Sequence, residues 1–133
     1  KNMIATEQFY TKYFGFQRAR VVPLGDRQIV FLKLGNTYLE LFQAEGQAPL
    51  SPPSNDGPTH PGLRHIAFRV DDVEAKLSEM DAAANITQGP LSFDDFIPGW
   101  RAVWIADPDG NIIEISQGYL DQVKPPPLAA KLS

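Results

Sequence analysis

The chain has 133 residues, 43% hydrophobic and 21% charged, ordinary proportions for one globular domain large enough to bury a core without covalent staples. It has no cysteine, so disulfides and thiolate metal sites are excluded, and any metal must be held by nitrogen and oxygen. A net charge of -4 with scattered Lys and Arg gives no basic stripe for nucleic acid, and no apolar run approaches the roughly 20 residues needed to cross a bilayer. The expected partners are therefore neither nucleic acid nor membrane. No basic or apolar leader is recognised, and the composition fits a reducing cytoplasm.

In chain order, residues 3 to 14 read as a helix. Ala5, Phe9 and Tyr13 recur at helical spacing, with Asn2 as N-cap and Gly15 as stop. Three strands follow, at 16–22, 28–34 and 37–43, separated by the turn signals Gly25-Asp26 and Gly35-Asn36. Residues 44 to 62, rich in proline and glycine, read as a linker. Beyond it come a strand at 63–70 and a helix at 71–80 that presents Val73, Leu77 and Met80 on one face. Asp71 followed by Glu74 resembles a capping box for that helix. A short strand near 86–89 precedes two clearer ones, 101–106 and 111–117, joined by the turn Asp107-Pro108-Asp109-Gly110. That turn lacks the further ligand spacing of a calcium loop. From Gln122 the chain is a proline-rich tail, expected to run extended.

The halves repeat. Aligning the helices at Met3 and Val73, a shift of 70 positions, brings Gly35-Asn36 near Gly110-Asn111 and Glu40 near Glu114. The repeating unit is βαβββ, and its first copy lacks the opening strand. The counterpart of His65 falls about five positions ahead of Lys1 on this alignment, so that strand is expected in the native fold upstream of Lys1. The reading is one domain over 1–121, made of a first module (1–43), the linker (44–62) and a second module (63–121), followed by the tail at 122–133.

Strand alternation then sorts the side chains. Ile66 and Phe68, Leu39 and Leu41, and Ile113 and Ile115 are expected to face the helices. His65, Glu40 and Glu114 then point to the opposite side. One carboxylate or imidazole on a strand usually faces solvent or has a hydrogen-bonding neighbour. Two carboxylates and an imidazole among apolar neighbours need partners, and together they form an N/O set suited to a divalent metal. His60 reads as an exposed loop residue and Arg69 as a solvated strand-end charge. The aromatic stretch 91–100, with Phe93, Phe96 and Trp100, reads either as a lid over an apolar substrate or as a packed surface loop.

The segments GLRHIAFRVDD, YLELFQ and WIADPDGNIIEIS resemble the ligand-bearing strands of the glyoxalase/bleomycin resistance protein/extradiol dioxygenase (vicinal oxygen chelate) superfamily, and TEQFYTKYFGF resembles its first helix. The resemblance implies an α+β fold of two βαβββ modules whose mixed sheet forms a cup around a metal. It implies His65, Glu114 and Glu40 as metal ligands, the last as in the glyoxalase I-like branch, with Glu114 or Glu40 as catalytic base. The family's first-strand ligand has no counterpart in this sequence. Also implied are a divalent ion (Ni, Zn, Co, Mn or Fe), a homodimer, since many relatives build the cup across two chains, and a small-molecule substrate lined by Tyr38, Phe42, Phe93, Phe96, Trp100 and Trp104. The expected chemistry is a lyase or isomerase reaction that abstracts a proton beside a carbonyl of a chelating substrate. The alternatives are an Fe(II)-dependent dioxygenase of the same superfamily and a non-catalytic drug-sequestering binding protein.

Overall fold

The computed structural model describes residues 2–48 and 50–128. Helix α1 (Met3–Phe14) starts where the Asn2 side chain accepts the Ala5 N–H at 3.2 Å, and it ends at Gly15, whose φ of 75° is readily adopted only without a Cβ. Phe9, Tyr10 and Phe14 form its buried face. Glu7 on the same helix is also buried, and Arg18 covers its carboxylate in a two-pronged contact at 2.5 and 2.8 Å. Strands β1 (Gln17–Leu24), β2 (Arg27–Leu34) and β3 (Thr37–Phe42) then form an antiparallel sheet in the order β1-β2-β3.

The second module is complete. It comprises β4 (Ile66–Arg69), α2 (Val73–Met80) with a short 3-10 turn (Asp81–Ala83), β5 (Asn85–Ser92), β6 (Arg101–Ala106) and β7 (Ile112–Gln117). Its sheet runs β4-β7-β6-β5, with β4 parallel to β7 and the other neighbours antiparallel. Matching α1 to α2 and β1, β2 and β3 to β5, β6 and β7 reproduces the repeat. The described residues contain no counterpart of β4 in the first module.

One core serves both modules. Phe9, Tyr10, Phe14 and Phe16 join Val30 and Leu32 of β2, Val73 and Met80 of α2, and Val103, Ile105, Ile113 and Ile115 of β6 and β7. Leu39, Leu41, Ile66 and Phe68 pack against it from β3 and β4, the faces that alternation assigns to the helices. The seam between the modules is aromatic, with Phe14 stacked on Phe68 at 4.5 Å between ring centroids. A smaller cluster of Ala102, Trp104 and Ile112, with Phe93 and Ala106 against it, lies apart from this core.

Three local expectations are corrected. Asp72, not Asp71, caps α2, its carboxylate accepting the Ala75 N–H at 2.9 Å. Val73 is fully buried and opens the helix, which sets the cap one residue later, while Glu74 pairs with Arg101 instead of closing a capping box. Strand β4 begins at Ile66, so Leu63, Arg64 and His65 precede the ladder. Strand β5 is twice the length expected of it and bends through ladder irregularities on both sides of Gln88. The tail is exposed from Gln122 to Leu128, and the rest of it lies outside the described residues. No helix among the described residues is long and apolar enough to cross a membrane.

Candidate metal centre

His65 and Glu114 meet. Glu114 sits in the middle of β7, between Ala67 of β4 and Trp104 of β6 in the ladder, and its side chain is largely buried. Its Oε2 lies 2.9 Å from His65 Nε2. The other imidazole nitrogen, Nδ1, lies 2.6 Å from the Asp56 carbonyl oxygen. A carbonyl only accepts, so Nδ1 carries the proton and donates it. In neutral imidazole this leaves the Nε2 lone pair facing a carboxylate oxygen, two acceptors at contact distance. Such a pair requires a cation between or beside them, either a proton that makes imidazolium or a metal ion. A backbone carbonyl that fixes the tautomer of a metal-binding histidine is a recurrent outer-sphere arrangement.

The carbonyl is delivered by the proline-rich segment, which proves to be more than a connector. Arg64 grips the Asp56 carboxylate with Nε at 3.0 Å and Nη2 at 2.8 Å, and its Nη1 donates to the Pro58 carbonyl. The guanidinium holds the Asp56 carboxyl below the usual aspartate range. Thr87 of β5 donates to the Asn55 carbonyl at 2.6 Å, tying the loop to the second sheet. Gly57 is buried at φ 132°, and a Cβ there would come within 2.2 Å of the Arg64 carbonyl oxygen. Nothing in the sequence pattern marks Asp56 or Arg64 as part of the site, because the contributing atom at position 56 belongs to the main chain.

The remaining candidates divide between two surfaces. Around the pair, Trp104 meets His65 edge-on at 6.2 Å and Phe93 at 6.1 Å. The Trp104 indole N–H is buried and has no hydrogen-bond partner among the described residues. Phe93 lies 4.7 Å from Trp100, whose indole N–H donates to Ser116 Oγ at 2.9 Å. Phe96 of the same loop stands outside, 77% exposed. Glu40, Tyr38 and Phe42 share the face of β3 turned away from the core. Phe42 is 62% exposed, and Lys33 lies over the Tyr38 ring at 5.6 Å. Glu40 is exposed, and with His65 it borders a cleft of about 420 Å³ between β3 and the start of β4. It does not join the His65–Glu114 pair, and no group of three His, Cys, Asp or Glu side chains close enough to hold a metal forms among the described residues of one chain.

On the far wall of that cleft the Asp107–Asn111 turn is locked to α1. Asp107 accepts the Tyr10 hydroxyl at 2.8 Å, the backbone N–H groups of Asp109 and Asn111, and the Asn111 side-chain amide. Thr6 donates to Asp109 at 2.6 Å. Burial, and secondarily the Asp107 carboxylate, push the Tyr10 hydroxyl far above the ordinary tyrosine range.

The paired modules, with a His and a Glu brought together at the β4–β7 edge of one sheet, define a βαβββ protein with an N/O donor pair. The chain belongs to the glyoxalase/bleomycin resistance protein/dioxygenase superfamily, whose family model matches residues 1–115. A glyoxalase family protein from Enterococcus faecalis is 30% identical, with 86% of this chain and 88% of that chain covered and a TM-score of 0.63. A lactoylglutathione lyase from Agrobacterium tumefaciens is 25% identical over 88% of this chain and 86% of that one, with a TM-score of 0.52. The fosfomycin resistance protein FosX from Listeria monocytogenes shares the fold alone, at 14% identity, 90% and 87% coverage and a TM-score of 0.62. Comparison with curated protein sequences returned no match.

Proposed function

We propose that this protein is a metal-dependent lyase or isomerase that removes a proton beside a carbonyl of a small chelating substrate. The observation that carries the reading is the 2.9 Å contact between His65 Nε2 and Glu114, with Nδ1 of the same ring donating to the Asp56 carbonyl behind it. His65 and Glu114 are the ligands one chain supplies to a divalent ion, and Glu40 is the third. Bound there, the ion would act as a Lewis acid on the substrate oxygens. Glu114 or Glu40 takes up the proton from carbon, and the same carboxylate returns it to the neighbouring carbon, which balances the step without an outside acid. Phe93, Trp100 and Trp104 exclude water on one side, with Phe96 at the outer end of their loop. The likeness to a lactoylglutathione lyase supports the redox-neutral chemistry.

Glu40 reaches the site across a dimer. Its strand presents Tyr38 and Phe42 to solvent, an apolar face that a second copy would cover. In that arrangement the first module of one protomer closes over the His65–Glu114 pair of its partner, and Tyr38 and Phe42 complete the substrate walls. The setting we assign is a cytoplasmic homodimer acting on a small molecule.

The test is the metal content of the purified protein and its binding of Ni, Co, Zn, Mn and Fe(II). About one ion per chain, lost in the His65→Ala/Glu114→Ala double variant, supports the site. Activity requiring Fe(II) and consuming oxygen would replace proton transfer by dioxygenase chemistry. If no divalent metal binds under reconstitution, the mechanism fails and the cup becomes a binding pocket.

A further inference from the structure

Beyond the metal pair, the same face of the second sheet holds a hollow of about 390 Å³, bordered by Arg69, Glu114, Ser116, Trp100, Tyr119 and Asp121. That volume lies within the range of small-molecule sites. We propose that Arg69 anchors the carboxylate of a small acid with an apolar body, whose reacting end then lies at the His65–Glu114 pair. The proposal rests on the reading of that pair as the reactive centre.

Arg18, Arg27, Arg64 and Arg101 each hold a carboxylate. Arg20 and Arg69 hold none among the described residues, and of these two Arg69 borders the hollow. Among the described residues Arg69 has no ion pair, although Asp121 borders the same hollow. Its Nη2 donates instead to the Tyr119 carbonyl at 2.9 Å. This contact uses one of five guanidinium donors and fixes the group at the edge of an aromatic wall, where Trp100 and Tyr119 meet edge-on at 5.6 Å. The remaining donors form a fork that matches a carboxylate in two parallel hydrogen bonds, next to the Trp100 and Tyr119 rings.

Register gives the distance. Arg69 pairs with Ser116, and two residues back along the same strands Ala67 pairs with Glu114. Two residues of strand span about 7 Å, so the anchor and the reacting pair stand roughly that far apart. Ser116 lies at the anchor end. Its buried hydroxyl accepts the Trp100 N–H, and its own hydrogen has no acceptor among the described residues, which leaves it for a ligand oxygen. A molecule that fits has a carboxylate at one end, a flat or aliphatic body against Trp100 and Tyr119, and a carbonyl near the other end.

Of the chain's two tryptophans, Trp100 borders the hollow and Trp104 lies beside His65, so intrinsic fluorescence reads the hollow's occupancy. The probes are 4-acetylbenzoate and its neutral isostere 4-acetylbenzamide, titrated into the unmodified protein, Arg69→Leu and Arg69→Lys, and into the His65→Ala/Glu114→Ala variant. We expect the carboxylate to bind about tenfold or more tightly than the amide in the unmodified protein, as a charge-assisted pair would give. Arg69→Leu should erase the preference, and Arg69→Lys, which keeps the charge and loses the fork, should retain part of it. The metal-ligand variant should keep it, which separates an anchor at Arg69 from carboxylate binding at a metal. Equal binding of the two probes, binding of neither, or a preference unchanged in Arg69→Leu would overturn the assignment. Metal binding by the Arg69 variants, measured alongside, tests the reading of the His65–Glu114 pair independently.

Discussion

At the scale of single residues, the centre depends on one backbone carbonyl. Glu114 is legible in the sequence because alternation on a strand reports which way a side chain points, and His65, just ahead of its strand, because an ionisable group among apolar neighbours must find a partner. Asp56 is not legible, since a main-chain oxygen leaves no trace in residue identity. Its position is held by Arg64 and by the absence of a Cβ at Gly57. Arg64→Leu should therefore weaken divalent-metal binding by about 10- to 100-fold, the usual effect of losing an outer-sphere partner, while circular dichroism and the unfolding midpoint change little. Isothermal titration with the tightest-binding metal measures this. Metal affinity in Arg64→Leu equal to that of the unmodified protein would remove the loop from any account of the site. Arg69 reads in sequence as a solvated strand-end charge, because a contact with the Tyr119 carbonyl fifty positions away has no local signature.

At the scale of elements, sequence is most informative where one local rule governs. The Asn2 cap and Gly15 stop bracket α1, and the Asp-Pro-Asp-Gly turn sits where composition puts it. Competing local rules mislead at α2, where burial of Val73 outranks the capping-box pattern and moves the start by a residue. The turn does more than reverse the chain, for it ties β7 to α1 through Asp107 and Tyr10. The linkage has a definite sign. Tyr10 ionises near pH 10 when unfolded and much higher when folded, so the folded state holds the proton more tightly. Its contribution is complete below about pH 10 and is lost as pH rises beyond it. Tyr10→Phe should cost about 1 kcal/mol at neutral pH through the lost hydrogen bond and flatten the stability decline above pH 10. Urea unfolding between pH 7 and 11 compares the two slopes, and parallel curves would exclude Tyr10 as their source.

At the scale of the whole molecule, the repeat is visible in sequence, but the distribution of the three acids and bases is not. Glu40 falls on a separate sheet because each module packs its apolar side into one core and turns its polar side outward. Two measurements test whether a second copy reunites them. Phe42→Asp places a charge on the exposed face of β3 and should shift the protein from dimer to monomer in sedimentation, with metal binding weakened in step. Mixed chains carrying Glu40→Gln and His65→Ala separately should recover part of the metal binding that each variant lacks, since a heterodimer rebuilds one intact centre of two. Absence of recovery in a verified heterodimer would assign all ligands to one chain. The aromatic seam of Phe14 and Phe68 has a further bearing, on whether either module could stand alone. Each half of the repeat finishes the interior of the other, so either half alone would expose its own share of that seam to water.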